Sequence, residues 1–190
     1  MAEKTMAEKT TAEKTTAAKT RAAKTRAAKT RAANSEPRSA PSGMAERELV
    51  ITRIFDAPRA LVFKAWADLA QAKLWAGPRG FTATHLSGEL RPGGAWRACL
   101  RRDDTGEELW QGGVYREVVE PERLVFTFAW DAPPGRRGHE TLVTLTFAEH
   151  QGKTTLTLRQ AVFESVEERD GHRGGWSSAF DRLAELLAQT

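Results

Sequence analysis

Residues 81–160 alternate between apolar and polar side chains with a period of two, and this pattern limits the fold more than any other feature. A period of two is typical of β-strands with one buried and one solvent-exposed face. Turn residues interrupt the pattern at 91–94, 103–106, 120–122 and 151–153, which predicts about six antiparallel strands. Such a sheet needs another apolar element to cover its buried face.

Helices are predicted on both sides of this segment. An opening strand at about 48–55 ends at Asp56-Ala57-Pro58, where the aspartate is predicted to cap a first short helix. Asp68-Leu69-Ala70-Gln71 has the spacing of a capping box and predicts a second short helix. The C-terminal segment is predicted to form an amphipathic helix of at least three turns. Its apolar positions with helical spacing are Trp176, Phe180, Leu183 and Leu187.

The first 43 residues differ in composition from the rest of the chain. Residues 1–33 repeat a five-residue unit with a Lys-Thr pair, and 34–43 are polar and contain proline, as linkers do. Residues 1–43 have ten basic and four acidic side chains, a net charge of +6, whereas 44–190 have 19 basic and 21 acidic ones, a net charge of −2. We therefore predict a disordered basic tail and linker at 1–43 and one folded domain at 44–190.

The charge of the tail allows one functional interpretation. Weak binding to nucleic acid or another anionic surface would use residues 19–31, which have no acidic side chain. The alternative is that Met44 is the true start and that the repeat is absent from the native protein. A nucleic-acid-binding fold is not expected, because the basic charge lies outside the predicted domain.

The cellular compartment is predicted from the absence of targeting and membrane-spanning segments. No apolar segment is long enough for a secretory signal or a membrane-spanning helix. The single cysteine, Cys99, cannot form a disulfide within the chain. These features predict a cytoplasmic protein without membrane insertion.

No catalytic or metal site is predicted. The histidines have no metal-binding spacing; they are His85, His139, His150 and His172. The chain also lacks a G-x-S-x-G motif and a phosphate-binding glycine loop. We therefore predict no cofactor and no catalytic residue.

Six tryptophans lie in the predicted domain. Trp66 and Trp96 are interpreted as core residues, because large aromatic side chains commonly fill a core between sheet and helix. The other aromatic residues are candidates for a pocket that binds an apolar or aromatic ligand, where the short helices, central strands and long helix converge. The predicted ligand-binding residues are Trp75, Trp110, Trp130, Trp176 and Phe180.

The order of these elements and several motifs resemble one family. The motifs include Asp56-Ala57-Pro58-Arg59, Leu90-Arg91-Pro92-Gly93-Gly94-Ala95-Trp96, Gly112-Gly113-Val114-Tyr115, Pro121-Glu122-Arg123-Leu124 and Gly175-Trp176. From about residue 48 to 187 the chain resembles the Hsp90-ATPase-activator-like branch of the START-type helix-grip superfamily. The resemblance implies an α+β helix-grip fold. A curved antiparallel sheet of about six to seven strands would surround a long C-terminal helix, with two short helices after the first strand.

Three functions follow as hypotheses. The preferred one is non-catalytic binding of a small apolar or aromatic molecule in a cavity between the sheet and the C-terminal helix. The second is a protein-interaction module that contacts a chaperone or another protein. Direct Hsp90 activation is not expected, because the separate chaperone-binding domain of the eukaryotic co-chaperone has no counterpart here. The third is a cyclase-type or hydrolase-type enzyme, which needs a His, Asp, Glu or Arg side chain pointing into the cavity.

Overall fold

The computed structural model describes residues 45–132 and 135–189, so the predicted tail at 1–43 lies outside the described residues. The described part contains three helices: α1 (Arg59–Ala67), α2 (Leu69–Trp75) and α3 (Val166–Leu187). Its eight strands are β1 (Leu49–Phe55), β2 (Phe81–Gly88), β3 (Ala95–Arg102), β4 (Glu108–Val119), β5 (Arg123–Ala132), β6 (Arg136–Arg137), β7 (Thr141–His150) and β8 (Lys153–Ala161).

The strands form one antiparallel sheet that curls around α3. Seven strands follow the order β1-β8-β7-β5-β4-β3-β2, and the short β6 pairs with β5 alone. The pairing register shifts between Ala83 and His85 on β2 and between Tyr115 and Glu117 on β4. Such irregularities bend strands and increase their twist. The predicted α+β helix-grip fold is confirmed, and each predicted turn separates two strands.

Helix α1 does not begin with the predicted aspartate cap. Pro58 occupies the N-cap position, and the Glu149 carboxylate on β7 accepts a 2.7 Å hydrogen bond from the backbone N–H of Arg59. Asp56 lies 3.3 Å from the Lys153 ammonium instead. Ala57 precedes Pro58 and therefore favours an extended backbone, which places Asp56 outside the first turn of the helix.

Asp68 caps α2 as predicted, but only half of the capping box forms. Its carboxylate accepts hydrogen bonds from the backbone N–H groups of Ala70 and Gln71, at 2.9 and 3.4 Å. The side-chain amide of Gln71 donates to the same carboxylate at 3.2 Å. The reciprocal bond is missing because the backbone N–H of Asp68 already donates to the Lys64 carbonyl at the end of α1.

Helix α3 begins earlier than the apolar period predicted. It has 22 residues, and the Ser165 hydroxyl caps it by accepting a 3.1 Å hydrogen bond from the backbone N–H of Glu168. Its first half contains three glycines, Gly171, Gly174 and Gly175, which have low intrinsic helix propensity. Tertiary packing of the second half therefore stabilises this helix more than its local sequence does.

The core fills only one part of the space between the curled sheet and the helices. It lies between α1, the second half of α3 and the strands β1, β5, β7 and β8. Fully buried members include Leu49, Phe63, Leu145, Leu158, Phe180 and Leu183. In the remaining part of this space, α2 and the first half of α3 face β2, β3 and β4 across a cavity. No helix within 45–132 and 135–189 combines the length and apolar character that crossing a bilayer requires.

Candidate functional site: a cavity between the sheet and helix α3

A cavity of about 480 Å³ separates β2–β5 from α2 and the first half of α3. Sites for small molecules typically have volumes of about 300–1,000 Å³ and mostly apolar walls. Nine aromatic side chains line this wall. They are Trp66, Trp75, Phe81, Trp96, Tyr115, Phe126, Phe128, Trp130 and Trp176.

The glycines of α3 leave room for this cavity. The lining residues of the helix follow a helical stripe: Glu168, Gly171, His172, Gly175, Trp176 and Ala179. A Cβ atom built at Gly171 or Gly175 would meet no atom within 4 Å. The cavity thus extends to the helix backbone at two positions where another residue would place a side chain.

Trp96 forms part of the opposite wall and is fixed by the sheet. Its indole N–H donates a 3.1 Å hydrogen bond to the carbonyl of Thr127 on β5. To reach β5, the indole passes over Gly113, the residue opposite Trp96 in the β3–β4 pairing. A Cβ atom at Gly113 would lie 2.5 Å from the indole nitrogen, so this position needs glycine.

A chain of hydrogen bonds crosses one end of the cavity through His172. The Trp130 indole donates to Nε2 of His172 at 3.0 Å, and Nδ1 lies 3.2 Å from the Gln160 side-chain oxygen. The Trp176 indole donates to the same oxygen at 2.8 Å. The Gln160 amide donates in turn to the Thr141 hydroxyl at 2.8 Å.

These partners determine the protonation of His172. An indole N–H can only donate, so Nε2 must accept and carry no proton, while Nδ1 carries the proton and donates to Gln160. Burial lowers the pKa of His172, and the negative charge of Glu168 opposes this shift. The imidazole is therefore neutral at pH 7. Burial also raises the pKa of the Tyr115 hydroxyl on the cavity wall, which keeps that group neutral as well.

The structure brings together three of the five predicted ligand-binding residues. Trp75, Trp130 and Trp176 line the cavity. Phe180 is fully buried in the core instead, with its ring 6.3 Å from that of Phe55 and 6.2 Å from that of Trp66. It points away from the cavity because it lies on the face of α3 that packs on β1 and α1.

Trp110 lies on the outer face of the sheet, in contrast to the predicted position. It pairs with Cys99 on β3, whereas the neighbouring pair of Ala98 and Gln111 faces the cavity. The Arg97 guanidinium lies 5.4 Å from the centre of the Trp110 ring. The parity of the strand register therefore excludes Trp110 from the cavity wall.

Sequence reasoning also missed residues on the wall. Trp66 and Trp96, interpreted as core residues, both line the cavity, as do His172 and Gln111. Trp66 packs between the rings of Trp75 and Trp176, at 4.7 and 5.9 Å. Within the described residues, no group of three His, Cys, Asp or Glu side chains is placed to hold a metal ion.

Several solved structures are similar to this chain. A Chromobacterium violaceum protein, CV1439, is 25% identical, with a TM-score of 0.69; the match covers 74% of this chain and 96% of that one. The AHSA1 protein from Silicibacter pomeroyi is 26% identical over 75% of this chain and 98% of its own, with a TM-score of 0.68. Protein Ms6760 from Mycobacterium smegmatis is 27% identical over 77% and 94%, with a TM-score of 0.67.

A comparison with proteins of curated function gives no match. The family model described as "Activator of Hsp90 ATPase homolog 1-like protein" matches residues 56–188. The match extends from the turn before α1 to the end of α3, so it includes both walls of the cavity. Together with the helix-grip fold, it shows that this chain belongs to the family of Activator of Hsp90 ATPase homolog 1-like proteins.

Proposed function

We propose that this protein binds a small apolar or aromatic molecule in the cavity between the sheet and α3, without converting it chemically. The observation that carries the proposal is the cavity itself, about 480 Å³ in volume with nine aromatic side chains in its wall. Membership of the family supports either a ligand-binding or an activator-like domain. The open cavity favours the first of these.

Hydrogen bonds hold most indole rings of the wall in place before a ligand binds; the buried indole nitrogen of Trp66 has no partner. Four of them donate their N–H to protein oxygen or nitrogen acceptors at 2.8–3.1 Å; these are Trp75, Trp96, Trp130 and Trp176. Side chains that are already ordered reduce the entropic cost of binding. Their N–H groups are occupied, so they offer apolar ring surface to the cavity.

An enzymatic role receives less support from the same site. His172 lines the cavity, as a cyclase or hydrolase would require, but both of its ring nitrogens are engaged by Trp130 and Gln160. A general acid or base must lie within hydrogen-bond reach of the proton it transfers. His172 would have to break one of these bonds before it could exchange a proton with a ligand.

Titration of the full chain with 1-aminoanthracene, an uncharged fluorescent aromatic compound, tests the proposal. We expect one probe molecule to bind per chain, with energy transfer from the cavity tryptophans and increased probe fluorescence. Competition by non-fluorescent aromatic compounds should reverse the signal. Failure of this probe and of a panel of neutral lipids and aromatic compounds to bind would contradict the proposal.

The family name supports a second candidate, contact with a chaperone ATPase. Ile54 and Val50 lie on the edge strand β1 and are 70% and 50% exposed, which provides apolar surface for a protein partner. A pull-down with the full chain should recover a stoichiometric partner, and Ile54→Lys should abolish the recovery. If Ile54→Lys still recovers the same partner, a role for this edge is refuted. We expect either function to operate in the cytoplasm.

A further inference from the structure

We propose that the cavity selects uncharged aromatic molecules that carry a hydrogen-bond donor beside an acceptor, such as a carboxamide or a lactam, and that Gln111 binds this group. The inference rests on the proposed ligand-binding function and specifies the class of ligand.

Gln111 has a side-chain amide in the cavity wall that lacks a protein partner. It lies on β4, is only 9% exposed, and faces the cavity together with Ala98, the residue opposite it on β3. Within 45–132 and 135–189 its amide forms no hydrogen bond with another residue, whereas the buried amide of Gln160 bonds to Thr141, His172 and Trp176. The amide is not fully enclosed by protein, because among the described side chains the fully buried polar atom without a partner is the Trp66 indole nitrogen. The Gln111 amide is therefore accessible from the cavity, where a ligand can pair with it.

The unpaired amide is complementary to a particular chemical group. A glutamine side chain presents an N–H donor and a carbonyl acceptor side by side. A ligand carboxamide or lactam presents the matching pair and can form two hydrogen bonds with it at once. A hydrocarbon would leave the amide unpaired, and an ionised carboxylate would pair with its donor only.

The charges of the wall disfavour acids. Among the described lining residues Glu168 is the only acidic side chain, and none is Lys or Arg. The guanidinium of Arg182 is engaged by main-chain carbonyls, including those of Leu74, Gly77 and Phe81 at 2.9–3.1 Å. His172 cannot become a cation without losing the hydrogen bond from Trp130. A carboxylate ligand would therefore be buried without a counter-charge.

The neighbours of Gln111 favour a flat aromatic ligand. Trp130 lies directly opposite it in the β4–β5 pairing. Trp96 lies opposite Gly113, two residues further along the same face of β4. The amide is therefore flanked by two indoles whose N–H groups are already bonded. Aromatic rings prefer offset-stacked or edge-to-face contacts with other rings, which orients a bound ring beside the amide.

Three naphthalenes of similar size test the inference by competition with 1-aminoanthracene on the full chain: 2-naphthamide, 2-naphthoate and 2-isopropylnaphthalene. At pH 7.5 we expect 2-naphthamide to bind and 2-naphthoate to bind at least about tenfold more weakly than the amide. In Gln111→Leu the preference for 2-naphthamide over 2-isopropylnaphthalene should fall by about tenfold, as expected for the loss of two neutral hydrogen bonds. Gln189→Leu, at the exposed end of the chain, is the matched control and should keep the preference.

The outcomes separate the two proposals. An unchanged preference in Gln111→Leu, or naphthoate binding as tight as that of the amide, would overturn the inference and leave cavity binding intact. Binding of none of the three compounds and no 1-aminoanthracene signal would overturn both. If Gln111→Leu does not fold, Gln111→Met gives the same comparison, because it also removes both hydrogen-bonding atoms.

Discussion

Replacing one glycine of α3 should narrow the cavity while stabilising the helix. Gly175 lines the cavity and has no atom within 4 Å of a Cβ built on it, so Gly175→Leu would place its side chain in the space proposed for the ligand. Gly174 is also helical and equally free of neighbours, but it is exposed and lies off the cavity wall. Gly174→Leu is therefore the matched control.

The two substitutions should have similar effects on stability, but only Gly175→Leu should weaken binding. Leucine has a higher helix propensity than glycine by about 0.7–1 kcal/mol, so both variants should unfold about 2–4 °C higher than the unchanged protein. Overpacking an occupied site costs about 1–3 kcal/mol, which corresponds to an affinity about five- to 150-fold weaker for Gly175→Leu. Gly174→Leu should bind with unchanged affinity.

Two measurements check this prediction. Differential scanning calorimetry gives the unfolding temperatures, and 1-aminoanthracene titration gives the affinities. Equal affinity in both leucine variants, with both proteins folded, would refute the reasoning that the ligand occupies the space beside α3. A lower unfolding temperature for Gly175→Leu alone would show that this side of the helix is already packed.

Two further predictions concern stability. Burial lowers the pKa of His172, so the unfolded chain binds a proton at this residue more readily than the folded chain does. The stability of the folded state should therefore decrease as the pH falls through about 6.5. In thermal melts His172→Gln should reduce this loss, whereas the surface substitution His150→Gln should not. Asp68→Ala removes the cap of α2 and should cost about 1 kcal/mol, or about 2–4 °C in unfolding temperature; unchanged melting would contradict the capping role.

The strands and turns could be predicted because their signals are local. Alternating side chains define each strand, and the turns at 91–94 and 151–153 carry glycines with positive φ at Gly93 and Gly152. The capping aspartate of α2 was also readable from its spacing. The cap of α1 could not be predicted in the same way, because the Glu149 carboxylate that binds the Arg59 N–H lies 90 residues away in sequence.

The cavity wall was harder to predict than the fold. The glycines of α3 interrupt the apolar period, so the first half of the helix and His172 escaped prediction, although Ser165 and Glu168 have the spacing of a helix N-terminus. For Trp110 the obstacle was different. A period of two assigns alternate residues to opposite faces, but only the pairing with β3 determines which face lies inside.

The indole N–H resonances of the six tryptophans test the central claim most directly, because one of them lies outside the cavity. In a ¹H–¹⁵N spectrum of the full chain, saturating 1-aminoanthracene should shift the indole signals of the five tryptophans in the cavity wall, which are Trp66, Trp75, Trp96, Trp130 and Trp176. The signal of Trp110, on the outer face, should stay in place. A shift confined to Trp110, or no shift at any tryptophan, would contradict a binding site between the sheet and α3.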